Sequence, residues 1–104
     1  MKTFAEVLTT LESIDHLTRM ELYMPDGSRT GIIENKPGSQ GSLKVYYYLW
    51  KKYGAINVKA AQNGLKLYAQ HTEDANANPG KHPNIDRLIE VIENKMELEV
   101  RLFP

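Results

Sequence analysis

Apolar residues recur along the chain with two periods, every three or four positions in some stretches and every second position in others. These periods divide it into helices and strands. Phe4, Val7, Leu8 and Leu11 fall on one helical face, and Thr3 followed by Glu6 forms a capping-box signature, so a helix is predicted from Thr3 to about Glu12. Met20, Leu22 and Met24 alternate with Arg19, Glu21 and Tyr23, the pattern of a half-buried strand. A second strand, Arg29 to Glu34, places Thr30, Ile32 and Glu34 on one face and Gly31 and Ile33 on the other. The turn sequence Pro25-Asp26-Gly27-Ser28 joins the two strands as a hairpin. Leu43 to Tyr53 reads as a helix with a broad apolar stripe, Lys51 and Lys52 in its last turn and Gly54 as its C-cap. Asn57 suits the N-cap of a further helix, Val58 to about Thr72, in which Gly64 is either a flaw or a point of close backbone approach. Asp74 to Lys81 has the composition of a loop. A last helix opens near Pro83 or Asn84 and carries Ile85, Leu88, Ile89 and Ile92 to about Asn94. Met96, Leu98, Val100 and Leu102 then alternate with Glu97, Glu99 and Arg101 in a closing strand.

The predicted order is α-β-β-α-α-α-β. An isolated hairpin is marginal, so the last strand is expected to join it in a three-stranded, mostly antiparallel sheet. Each strand has one apolar face, and about four helices would cover that side. The class is α+β, in two layers, as a single domain over residues 1–104.

Composition narrows the function classes. With 104 residues, 41% hydrophobic and 25% charged, the chain has enough apolar material for one core. Thirteen basic and thirteen acidic residues balance, which leaves no overall field to draw the chain onto nucleic acid. The absence of cysteine excludes disulfides, a thiol nucleophile and thiolate metal ligation. Met1 to Leu8 lacks the apolar run of a leader, and no charge-free stretch approaches the roughly 20 residues of a membrane span. A cytoplasmic protein with no membrane or nucleic-acid partner is expected.

Candidate chemistry concentrates in two loops. The first, Glu34 to Ser42, follows a strand and enters a helix. Its candidate ligand-binding residues are Lys36, Gly38, Ser39, Gln40, Gly41 and Ser42, where free N–H groups and the helix dipole favour an anion such as phosphate or carboxylate. The glycine spacing is not that of a P-loop, no Lys-Ser or Lys-Thr pair follows, and no dinucleotide fingerprint or βαβ unit is present. Turn formation and helix capping account for the same residue types without a ligand. The second loop, Asn78 to Asn84, adds Lys81 and His82. Were the two loops to meet, these residues would form a polar, modestly basic pocket in which Glu34 is a candidate partner for His82. His71, Glu73 and Asp74 have no ligand spacing that completes a metal site, and a solvated helix end describes them better. No catalytic triad and no cofactor motif is read.

The run Tyr46-Tyr47-Tyr48-Leu49-Trp50 cannot face one core entirely, because neighbours on a helix stand about 100° apart. Tyr47, Tyr48 and Trp50 are the candidate interface residues, with a homodimer or another protein as partner.

The runs Glu34 to Leu43 and Ala75 to Asp86 resemble a family of small bacterial proteins of about 100 residues with no assigned function. The resemblance implies a bacterial single-domain protein and carries over no catalytic residue. Taken together, the residues describe a non-enzymatic binding or protein-interaction module. The alternative is a phosphate- or carboxylate-binding domain or enzyme that uses the 35–42 and 78–84 loops.

Overall fold

The computed structural model describes residues 2–104; Met1, the first residue of the stretch assessed above for a leader, lies outside them. The elements are α1 (Phe4–Leu8), β1 (Arg19–Tyr23), β2 (Arg29–Glu34), α2 (Gln40–Tyr53), α3 (Val58–Leu67), α4 (Gln70–Ala77), α5 (Pro83–Glu93) and β3 (Glu99–Phe103). Their order is the predicted one, with the third predicted helix divided into α3 and α4.

The sheet runs β2-β1-β3, and both pairings are antiparallel. Met20 pairs with Ile33 on one side and Leu102 on the other, and Leu22 pairs with Gly31 and Val100, so the apolar positions of all three strands share one face. Met20, Leu22 and Ile33 are buried there in a single core with residues of α2, α3 and α5. An isolated bridge between Ile56 and Leu98 ties the start of α3 to the strand end of the chain.

Among the described residues no helix covers the other face of the sheet, and its own side chains close over it. Glu21 is only 5% exposed because Arg19 (2.9 Å), Arg29 (3.7 Å) and the Tyr23 hydroxyl (2.5 Å) surround its carboxylate. The hydrogen bond from Tyr23, followed by that from Arg19, holds the Glu21 pKa below the usual carboxylate range. Arg101 lies over the Tyr23 ring at 4.2 Å and Arg19 over Phe103 at 3.8 Å, so cation–π contacts complete the layer.

Helix limits follow local chemistry. The capping box forms as predicted: Glu6 N–H donates to Thr3 Oγ1 (3.3 Å) and Thr3 N–H donates to Glu6 Oε1 (3.2 Å). The helix stops at Leu8 instead of Glu12. The hydroxyls of Thr9 and Thr10 donate to the carbonyls of Glu6 and Val7 (2.7 Å each), which diverts the acceptors that a continuing helix needs. Asn57 caps α3 by accepting from Ala60 N–H (2.9 Å), Gly54 closes α2 in the left-handed conformation, and Pro83 opens α5.

Gly64 is the close approach, not the flaw. A Cβ at this position would lie 2.6 Å from Leu88 Cδ1 and 2.9 Å from Leu49 Cδ1, so the missing side chain lets α3 settle between α2 and α5.

Candidate functional site

The two loops named by the sequence meet. Gly38, Gly41 and Ser42 from the first, with Lys81, His82 and Asn84 from the second, border one cavity of about 360 Å³. Phe4 from α1, Tyr68 and His71 complete its apolar and aromatic side. The volume lies at the small end of the roughly 300–1,000 Å³ typical of small-molecule sites.

Each wall has a local cause. α2 starts at Gln40, and the N–H groups of its first turn have no acceptor inside the helix. Gln40 N–H finds Lys36 O (2.9 Å), while those of Gly41 and Ser42 make no hydrogen bond among the described residues. Gly41 also sets the position of α1: a Cβ there would lie 3.2 Å from Leu8 Cδ1 and 3.4 Å from Phe4 Cε2. Phe4 is held in turn by its own N–H, which donates to Gln70 Oε1 (2.9 Å).

The aromatic side depends on a strained residue. Ala69 has φ 53° and ψ −123°, and His71 N–H donates to Tyr68 O (3.1 Å) across it. This is the geometry of a type II′ turn, whose first central position favours glycine. The turn ends α3, starts α4, and sends both Tyr68 and His71 to the cavity. The continuous helix predicted over Val58 to Thr72 breaks here, and Asp74 to Ala77, predicted as loop, are the second half of α4. Strain at such a residue costs about 1–3 kcal/mol, and a glycine gives back part of that through its freer unfolded chain. Ala69→Gly is therefore expected to stabilise the fold by about 1 kcal/mol, raising the thermal midpoint by about 4–8 °C. A midpoint that is unchanged or lower in calorimetry would show that the turn is unstrained.

Tyr68 is 3% exposed and donates from its hydroxyl to Ser42 Oγ (2.7 Å). Burial raises the pKa of its phenol, so the proton stays in place and the cavity floor is polar but uncharged.

Asp74 lies behind the cavity and organises its charged rim. Its Oδ2 is 2.6 Å from His82 Nε2 and 3.0 Å from Lys81 Nζ. The hydrogen bond to His82, then that to Lys81, draws the Asp74 pKa down to about 2. The carboxylate is therefore an acceptor only, and His82 Nε2 carries the proton in this pair. Glu34, the carboxylate first considered for His82, instead pairs with Lys36 at 3.2 Å.

The family model described as an uncharacterized protein conserved in bacteria, DUF2322, matches residues 4–102. The chain belongs to the DUF2322 family. No curated protein and no solved structure matches it.

In this DUF2322 chain the other candidate residues lie elsewhere. Lys36 is 61% exposed at the side chain and engaged with Glu34. The Ser39 hydroxyl donates to Glu34 O (2.6 Å) and braces the loop without capping α2. Gln40 is exposed and borders a separate depression beside Leu8 and Asp15. Tyr47 belongs to the core at 8% exposure, against His16 and Trp50, so only Tyr48 and Trp50 of the interface candidates present surface. Lys52 lies 5.8 Å from the Tyr48 ring centre. That contact within the chain gives the half-buried tyrosine a neighbour without invoking a partner.

Asp74, His71, Tyr68 and Phe4 were not among the site residues read from sequence. Asp74 and His82 flank the Pro79-Gly80 turn, and a reversal there brings the end of one helix against the start of the next. That was the available signal. Tyr68 and Phe4 carried the periodicity of core residues and gave none. Among the described residues no helix is long and apolar enough to cross a membrane.

Proposed function

We propose that this DUF2322 protein is a non-catalytic binding module for a small anionic ligand, held in the cavity between the start of α2 and the start of α5. One observation carries the reading: both Pro-Gly loops border one cavity that combines unpaired N–H groups of a helix start with Lys81, His82 and His71. Helix N-termini favour anions through these free donors and the dipole, and Lys81 adds a charge-assisted donor. The surface tyrosines, packed by lysines, lend less support to a protein interface.

The test is a thermal-shift panel of small carboxylates and inorganic phosphate on the full chain. A ligand at a hundredfold excess over its Kd adds about 2.7 kcal/mol, on the order of 10 °C for a domain of this size. At least one member is expected to stabilise the protein, with the shift lost in Lys81→Ala. A panel with no shift would remove the reading.

The His82–Asp74 pair at 2.6 Å favours a second reading, acid–base chemistry on the bound ligand. A carboxylate behind an imidazole orients the ring and stabilises its protonated form. Deuterium exchange into a bound carboxylate, lost in His82→Gln, would favour this enzyme over a simple receptor.

A further inference from the structure

Resting on the anion-binding reading, we infer that the ligand is a monocarboxylate on a single flat ring: an aromatic monoanion, not a phosphate and not an aliphatic acid.

The first argument is the shape and chemistry of the aromatic side. Tyr68 and Phe4 stack with ring centres 5.1 Å apart and planes 19° apart. Phe4 meets His71 edge-on at 5.2 Å, and His71 lies 5.5 Å from His82. Four rings thus follow one another along the cavity, with Ile85 beside them. Tyr68, at 3% exposure, backs Phe4, and the half-buried rings of Phe4, His71 and His82 reward a flat apolar body by area burial and offset or edge contacts. Acetate or phosphate would leave those rings wet.

The second argument is charge. Among the described residues Lys81 is the lysine that lines the cavity, and Asp74 already engages it at 3.0 Å while also holding His82. The rim therefore carries little net positive charge. Uncharged donors, the N–H groups of Gly41 and Ser42, remain without partners. A single carboxylate can be satisfied by two N–H donors and one shared lysine. A phosphate dianion would bring a second charge that one lysine already shared with Asp74 does not match, and desolvating that charge is costly.

The third argument is size. A volume of about 360 Å³, at the small end of the range for small-molecule sites, is ample for one ring with its carboxylate.

Calorimetric titration of the full chain with benzoate, acetate, phenyl phosphate and benzamide separates these features. Benzoate is expected to bind at least tenfold more tightly than acetate and than phenyl phosphate, with benzamide undetectable. Phe4→Leu keeps the apolar volume but removes the stacked ring, and is expected to shrink the benzoate-over-acetate preference to under threefold. Tyr68→Phe, which keeps the ring and deletes the hydroxyl, should retain that preference, and melting curves of both variants establish that they fold. Acetate or phenyl phosphate binding as tightly as benzoate would overturn the ring-bearing monoanion and leave an anion site standing. Benzamide equal to benzoate, or no binding by any of the four together with a silent wider panel, would overturn both readings.

Discussion

Leu88→Ala is expected to lower the unfolding free energy by about 2–5 kcal/mol, seen as a reduced urea midpoint at unchanged slope. Leu88 is fully buried on α5. Its Cδ1 occupies the space that a side chain at Gly64 would need, with Leu49 Cδ1 alongside. Truncation removes the contact on which α3 and α5 pack and leaves a cavity that surrounding residues fill only in part. Total stability for a domain of this kind is about 5–15 kcal/mol, so the loss is a large share of it. The same geometry predicts coupling. Gly64→Ala forces a Cβ to within 2.6 Å of Leu88 Cδ1 in the native protein, and that atom is absent from Leu88→Ala. The double variant is therefore expected to be more stable than the sum of the two losses predicts, by about 1 kcal/mol. Simple additivity would mean that the two positions do not share this space.

Tyr46→Phe is expected to cost about 1–3 kcal/mol and to change the alkaline limit of stability. Tyr46 is fully buried; its hydroxyl donates to Asn84 O (2.5 Å) and accepts from Arg87 Nη1 (3.3 Å). Deleting one oxygen leaves a carbonyl and a guanidinium N–H without that partner. Asn84 borders the cavity, so this hydrogen bond also ties the core to the site. Burial pushes the Tyr46 pKa from 10.0 up to about 12. The neutral phenol is the form the fold favours, so its contribution is complete below pH 10 and is lost as the pH rises from 10 through 12. The raised value corresponds to roughly 3 kcal/mol of pH-dependent stability. Tyr68, raised by burial in the same direction, acts on the same limb. Urea midpoints followed from pH 8 to 12 should fall less steeply in Tyr46→Phe than in the native chain. Parallel curves would mean that Tyr46 ionises freely in the folded protein.

Much of this architecture is a local property of the chain. The alternation of Met20 and Leu22 with Arg19, Glu21 and Tyr23 specified the buried face of β1, and the paired strands share that face because register follows burial. Thr3 with Glu6, Asn57, Gly54 and Pro83 marked helix ends within reach of their own neighbours, and each acts where it was placed. The loop before α2 and the loop before α5 were recognisable as polar, Pro-Gly segments that precede helices.

What failed locally failed for stated reasons. The end of α1 turned on two threonine hydroxyls competing for backbone carbonyls, which apolar periodicity does not register. The break at Ala69 carries no sequence mark, because alanine is the best helix former and nothing in its side chain announces φ 53°.

By itself the sequence determined the order of helices and strands, the apolar face of the sheet, the α+β class and the two loops that bear polar chemistry, since all of these depend on residues a few positions apart. Tertiary structure alone decided which loop residues share a cavity. Lys36, Ser39 and Gln40 fall outside it, while Phe4, Tyr68 and His71 fall inside, because the type II′ turn at Ala69 and the missing side chain at Gly41 bring distant segments together. It also decided that the carboxylate behind His82 is Asp74 and not Glu34, since that pairing depends on the reversal of the chain between α4 and α5.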